Sequence, residues 1–120
     1  MKIAITAKGK DINSEVDPRF GRAAYILIVD TETSEVETLD NQENVNRLKG
    51  SGIQAAAMIH NSGADVLLTG YCGPNAVKTL KAAKIKIAAE VSGSVQEAIS
   101  LFRANKYSFI EEANVEGHWI

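Results

Sequence analysis

The order in which strand-like and helix-like stretches alternate restricts this chain to a mixed β-sheet. Three apolar runs come first, at residues 3–7, 25–30 and 36–39, with no helical periodicity between them. The second and third are joined by Thr31-Glu32-Thr33-Ser34, whose polar side chains suit a turn, so these strands can pair as a meander. Two later runs, 64–69 and 84–88, each follow a helical stretch, and a parallel neighbour requires such a crossover. The expectation is an α/β fold whose five-stranded mixed sheet has the order 3-2-1-4-5, with three helices.

Local chemistry sets the helix limits. Ser51 and Gln54 have capping-box spacing and Gly63 lies where a C-terminal cap belongs, which predicts a helix over 52–62. Pro74 falls at the first position of a second helix, whose apolar face is Val77 and Leu80 flanked by Ala76 and Ala83. Ser94 and Glu97 repeat the capping-box spacing, and Val95, Ala98, Ile99 and Phe102 form the inner stripe of a third helix. Residues 41–49, with three Asn, read as an exposed connection, and residues 110–120 as an acidic tail.

A chain of 120 residues is the size of one domain, so residues 1–120 are read as a single unit. Thirteen Lys and Arg against fifteen Asp and Glu give a net charge of −2, which is no footprint for nucleic acid. No apolar run reaches the roughly 18–20 residues of a membrane span, and the apolar start is too short for a signal peptide; a cytoplasmic protein is expected. Cys72 is the single cysteine, so neither an internal disulfide nor the four thiolates of a usual iron–sulfur centre can form. Any soft metal must bring its own sulfur or find other ligands.

Ligands of open α/β sheets bind beyond the carboxyl ends of the strands, where the strand order reverses. Here that is the rim beyond strands one and four. Two segments converge on it: the loop with Asp17-Pro18-Arg19-Phe20-Gly21-Arg22, and Gly70-Tyr71-Cys72-Gly73-Pro74-Asn75. Gly70 and Gly73 let backbone approach a ligand, and the helix start at Pro74 offers unpaired N–H groups and a positive dipole end. Arg19 and Arg22 add permanent positive charge. The same residues have plainer readings. Gly-x-x-Gly-Pro is equally a tight strand-to-helix turn, and the arginines can pair on the surface with Asp17 and Glu15. A lone cysteine is usually a small core hydrophobe, although a polar turn before a helix favours a partly exposed thiolate at Cys72. His60 reads as structural. His118 and Trp119 sit at a terminus where fraying is the default. A nuclease of the ribonuclease H type would need carboxylates on strands one and four, but residues 2–7 have none and Asp65 lies at the wrong end of its strand. Nor is a nucleotide-binding or hydrolase motif present.

Asp17-Pro18-Arg19-Phe20-Gly21-Arg22-Ala23, Gly50-Ser51-Gly52-Ile53-Gln54-Ala55-Ala56, Thr69-Gly70 and Gly73-Pro74-Asn75-Ala76 together give a likeness that runs nearly end to end. The chain resembles the dinitrogenase iron–molybdenum cofactor biosynthesis family, which includes NifX- and NifY-type carriers, the C-terminal part of NifB and a single-domain orange-protein branch. Val115-Glu116-Gly117-His118-Trp119 also resembles the tail of stand-alone members. The resemblance implies a ribonuclease H-like three-layer fold without catalysis, and a role in binding, carrying or protecting an anionic metal–sulfur cluster of molybdenum–copper sulfide or iron–molybdenum–sulfur type. Arg19, Phe20, Gly21, Arg22, Gly70, Tyr71, Cys72, Gly73, Pro74 and Asn75 are then the candidate cluster-binding residues, with Cys72 and His118 as candidate metal ligands. Many members have His where this chain has Arg19, which supplies charge and no coordinating nitrogen. A monomer or weak dimer, with a protein partner that donates or receives the cluster, completes the expectation. The rival is a cluster-free protein–protein adaptor in metal handling or cell division.

Overall fold

From Ile3 onward, strand β1 (Lys2–Ala7) is buried on both faces, as a continuous apolar run requires of a central strand. The computed structural model describes residues 1–45 and 50–115. Antiparallel β2 (Tyr25–Asp30) lies along one side of β1, with Lys2 opposite Asp30 and Ala7 opposite Tyr25. β2 pairs in turn with antiparallel β3 (Val36–Asp40). On the other side β4 (Val66–Leu68) runs parallel to β1, followed by parallel β5 (Lys86–Ala88). A sixth strand, β6 (Phe109–Ile110), closes that edge antiparallel to β5. The order is β3-β2-β1-β4-β5-β6, which contains the expected 3-2-1-4-5.

Among the described residues four α-helices accompany the sheet: α1 (Gln42–Val45), α2 (Ser51–Ser62), α3 (Pro74–Ala82) and α4 (Val95–Arg103). Alternate residues of the strands face two cores. Ala4, Ile26, Ile28, Leu67 and Ile87 pack under α2 and α3 with Ala55, Ile59 and Leu80, while Ile3, Ile5, Leu27, Val29 and Leu68 pack on α4 through Val95, Ala98 and Ile99. The result is a three-layer α/β domain. Among the described residues no helix is long and apolar enough to cross a membrane.

Two of the expectations need correcting on element number: among the described residues there are six strands, not five, and four α-helices, not three. β6 has two residues, too few to leave an alternating pattern. α1 is a single polar turn lying in what read as an exposed connection. Asn41 and Asn44 are buried there, because Asn41 Nδ2 donates to the Ala23 carbonyl and Asn44 Nδ2 to Asn41 Oδ1. The capping box at Ser51 is also absent. Gly50 occupies the N-cap with φ +84°, a conformation open to glycine, and Ser51 is the first helical residue. Gly63 does close α2, donating its N–H to the His60 carbonyl, and the Ser94–Glu97 capping box forms with both of its bonds.

Candidate functional site

The loop after β1 is fastened to the strand ends by buried hydroxyls. Asp17 donates its N–H to the Thr6 carbonyl at 2.9 Å, and Thr6 Oγ1 donates to the Asp17 carbonyl at 2.7 Å. Thr6 has one hydroxyl proton, so Thr69 is the donor in the 2.8 Å bond between Thr69 Oγ1 and Thr6 Oγ1. The loop then runs beside the turn that follows β4. Tyr71 donates its N–H to the Pro18 carbonyl at 2.6 Å and accepts at its carbonyl from the Phe20 N–H at 3.2 Å. Gly70 is needed at this seam, since a Cβ there would lie 2.6 Å from Pro18 Cα and 2.7 Å from its carbonyl oxygen. Residues 17–22 and 70–75 therefore lie on one edge of the sheet.

A third wall comes from the start of α2. Phe20 is fully buried beneath the short 3-10 turn Phe20–Arg22, and a Cβ on Gly21 would lie 2.8 Å from Gly52 N and from Ser51 Oγ. A Cβ on Gly52 would come within 3.0 Å of Ala76 Cβ, so the first turns of α2 and α3 touch. Their N-caps are Gly50 and Gly73, and neither helix receives a side-chain cap. First-turn amides have no acceptor within their own helix, and two dipoles place positive partial charge at one spot. The chemistry on offer is N–H donation to an anion.

Of the charged candidates, Arg19 is exposed and its backbone N–H is held by Asp17 Oδ1 at 3.0 Å. The two carboxylates read as surface partners are engaged elsewhere: Glu15 pairs with Lys8, and Asp17 turns inward to the backbone. Arg22 Nη1 donates to the Val45 carbonyl, which ties the 3-10 turn to α1. Tyr71 is half-buried, Gly73 buried, and Pro74 and Asn75 exposed on the rim.

Cys72 corrects the expectation of a partly exposed thiolate. It is fully buried in the core under α2 and α3, and loss of solvation pushes its thiol up to about 12. The turn is polar in its backbone, but the side chain at this position points inward. With the folded pKa above the unfolded value, this thiol's contribution to stability is whole below pH 9 and is lost as pH rises toward 12. At pH 8 the native thiol is expected to react with an alkylating reagent about a thousandfold more slowly than a free thiol; a rate near that of free cysteine would contradict the burial. Among the described residues no group of three His, Cys, Asp or Glu side chains could hold a metal ion. His118 lies outside the described residues.

Two parts of the rim escape the residue-by-residue sequence reading. The α2 start could have been found from Gly50 and Gly52 flanking Ser51, which repeats the glycine-at-helix-start theme of Gly73-Pro74. Asn114, which binds the 70–72 turn from the C-terminal segment, leaves no such signal.

Comparison with known proteins gives consistent matches. Residues 1–105 match the dinitrogenase iron–molybdenum cofactor family. An uncharacterized protein of Methanocaldococcus jannaschii is 30% identical over 113 residues, covering 92% of each chain. The apo form of the orange protein from Desulfovibrio gigas superposes with a TM-score of 0.93 at 41% identity, covering 95% of this chain and 96% of that one. A Thermotoga protein of the DUF35 family, provisionally assigned as NifB, gives 0.83 at 35% identity, covering 97% of this chain and 98% of that one.

Proposed function

The chain belongs to the dinitrogenase iron–molybdenum cofactor family, and from that premise we propose that it binds and carries an anionic metal–sulfur cluster on the rim formed by residues 17–22, 50–53 and 70–76. The observation that carries this reading is the contact between two uncapped helix N-termini beside the hydrogen-bonded seam of Pro18, Phe20 and Tyr71. The donor set fits a cluster with its own sulfide shell. Cys72 is buried and the described residues assemble no ligand trio, so the rim's means of holding cargo are N–H groups and the Arg19 guanidinium acting on charge. Either an iron–molybdenum–sulfur or a molybdenum–copper sulfide cluster satisfies that chemistry. One structural relative is described as an apo form, a term for a protein that also exists with a bound group. The role is carriage rather than catalysis, with a protein partner to donate or receive the cluster.

Titration of the protein with tetrathiomolybdate, with and without copper(I), tests this by visible absorbance. The wild type is expected to take up the anion. Arg19→Ala is expected to weaken uptake by about ten- to a hundredfold, the loss of one charge-assisted contact, with unfolding shifted by no more than about 0.5 kcal/mol. Equal uptake by both proteins would remove Arg19 from the site, and no uptake by the wild type would favour the cluster-free adaptor.

A further inference from the structure

Resting on the cluster-binding reading, we infer that Asn114 is a positioning residue: it straps the C-terminal segment to the ligand-facing turn 70–72, so that strap docking and occupancy of the rim reinforce each other. The backbone polar groups of residues 70–72 point alternately to two sides. Tyr71 gives its N–H and carbonyl to the 17–22 loop. Gly70 and Cys72 face the other way, and Asn114 meets both. Asn114 Oδ1 accepts from the Cys72 N–H at 2.8 Å, its Nδ2 donates to the Gly70 carbonyl at 3.0 Å, and its own N–H donates to the Cys72 carbonyl at 3.3 Å. Glu90 N–H, at 2.8 Å, is a second donor to the Gly70 carbonyl.

The strap is delivered by anchors along its length. Ile110 pairs with Ile87, Lys81 Nζ lies 3.1 Å from the Glu111 carbonyl and 3.2 Å from its carboxylate, and Ala113 packs on the core. Asn114 thus arrives from 44 residues away in sequence to hold Gly70. It lies behind the turn, and its action on the rim passes through Tyr71 to Phe20. By linkage, whatever factor strap docking adds to the affinity of the rim, occupancy of the rim adds to strap docking.

Amide hydrogen exchange on the ligand-free protein is the first test, read at Phe20 and Tyr71, whose N–H groups Asn114 does not touch. Asn114→Ala is expected to speed exchange at both by about tenfold while the β1 amides hold their wild-type rates. Asn114→Asp, which keeps an acceptor for the Cys72 N–H, is expected to restore part of that protection. Unchanged exchange at Phe20 and Tyr71 would overturn the positioning role whatever the ligand does. The second test adds tetrathiomolybdate: it is expected to slow exchange of the Asn114 N–H in the wild type, and to bind Asn114→Ala about tenfold more weakly. Equal affinity of wild type and variant would overturn the coupling. Failure of the wild type to bind would overturn the cluster reading and the coupling with it, and the ligand-free measurement would still decide whether Asn114 positions the turn.

Discussion

Phe20→Ala is expected to lower the unfolding free energy by about 3–5 kcal/mol, read from the urea midpoint, and to abolish uptake of a sulfide anion at the rim. Phe20 has no exposed surface and is, among the described residues, the bulkiest of the fully buried side chains, although it sits on a loop. Its ring lies under the first turn of α2, with Cδ2 4.0 Å from where a Gly52 Cβ would stand, and its backbone N–H is bonded to Tyr71. Removing the ring therefore leaves a void at the junction that holds the 17–22 loop, α2 and α3 together. Phe20→Leu keeps most of that volume and is expected to cost about 1 kcal/mol. A loss below about 1 kcal/mol for Phe20→Ala would show that the loop collapses into the void and that the ring is not its anchor.

Gly70→Ala acts at the same seam by crowding. The added methyl would meet Pro18 Cα, carbonyl oxygen and Cβ at 2.6, 2.7 and 2.8 Å, and neither backbone nor a proline ring can swing aside as a flexible side chain does. The loop has to part from the turn. A cost of about 3 kcal/mol is expected, at the upper end for one inserted methyl, together with faster exchange of the Tyr71 N–H because its bond to Pro18 is broken. Unaltered exchange at Tyr71 would mean that the seam tolerates the methyl.

Much of this fold was legible because its larger elements carry redundant signals. β1 is a short, largely apolar run from Ile3 to Ala7, α4 has both a capping box and a stripe of Val95, Ala98 and Ile99, and Pro74 marks the start of α3. Where a single cue stood alone it misled. Ser-x-x-Gln at Ser51 has capping-box spacing, but spacing does not show whether the serine precedes the helix or begins it, and Gly50 takes the cap instead. At the site, the strand-order rule located the meeting of 17–22 with 70–75. The direction of the Cys72 side chain depended on backbone angles inside the turn that composition does not encode. Asn114 was invisible for a different reason: its partners lie 42 and 44 positions earlier, and no local pattern records a bond of that span.

The hydroxyl bridge from Thr6 to Thr69 spans 63 positions. Closing so long a stretch of chain costs entropy that is recovered once the parallel pairing of β1 with β4 is in place. A chain still emerging during synthesis, or one that has lost a layer, leaves the two halves of the rim apart. The rim is thereby a product of completed folding, present in finished molecules and missing from immature ones.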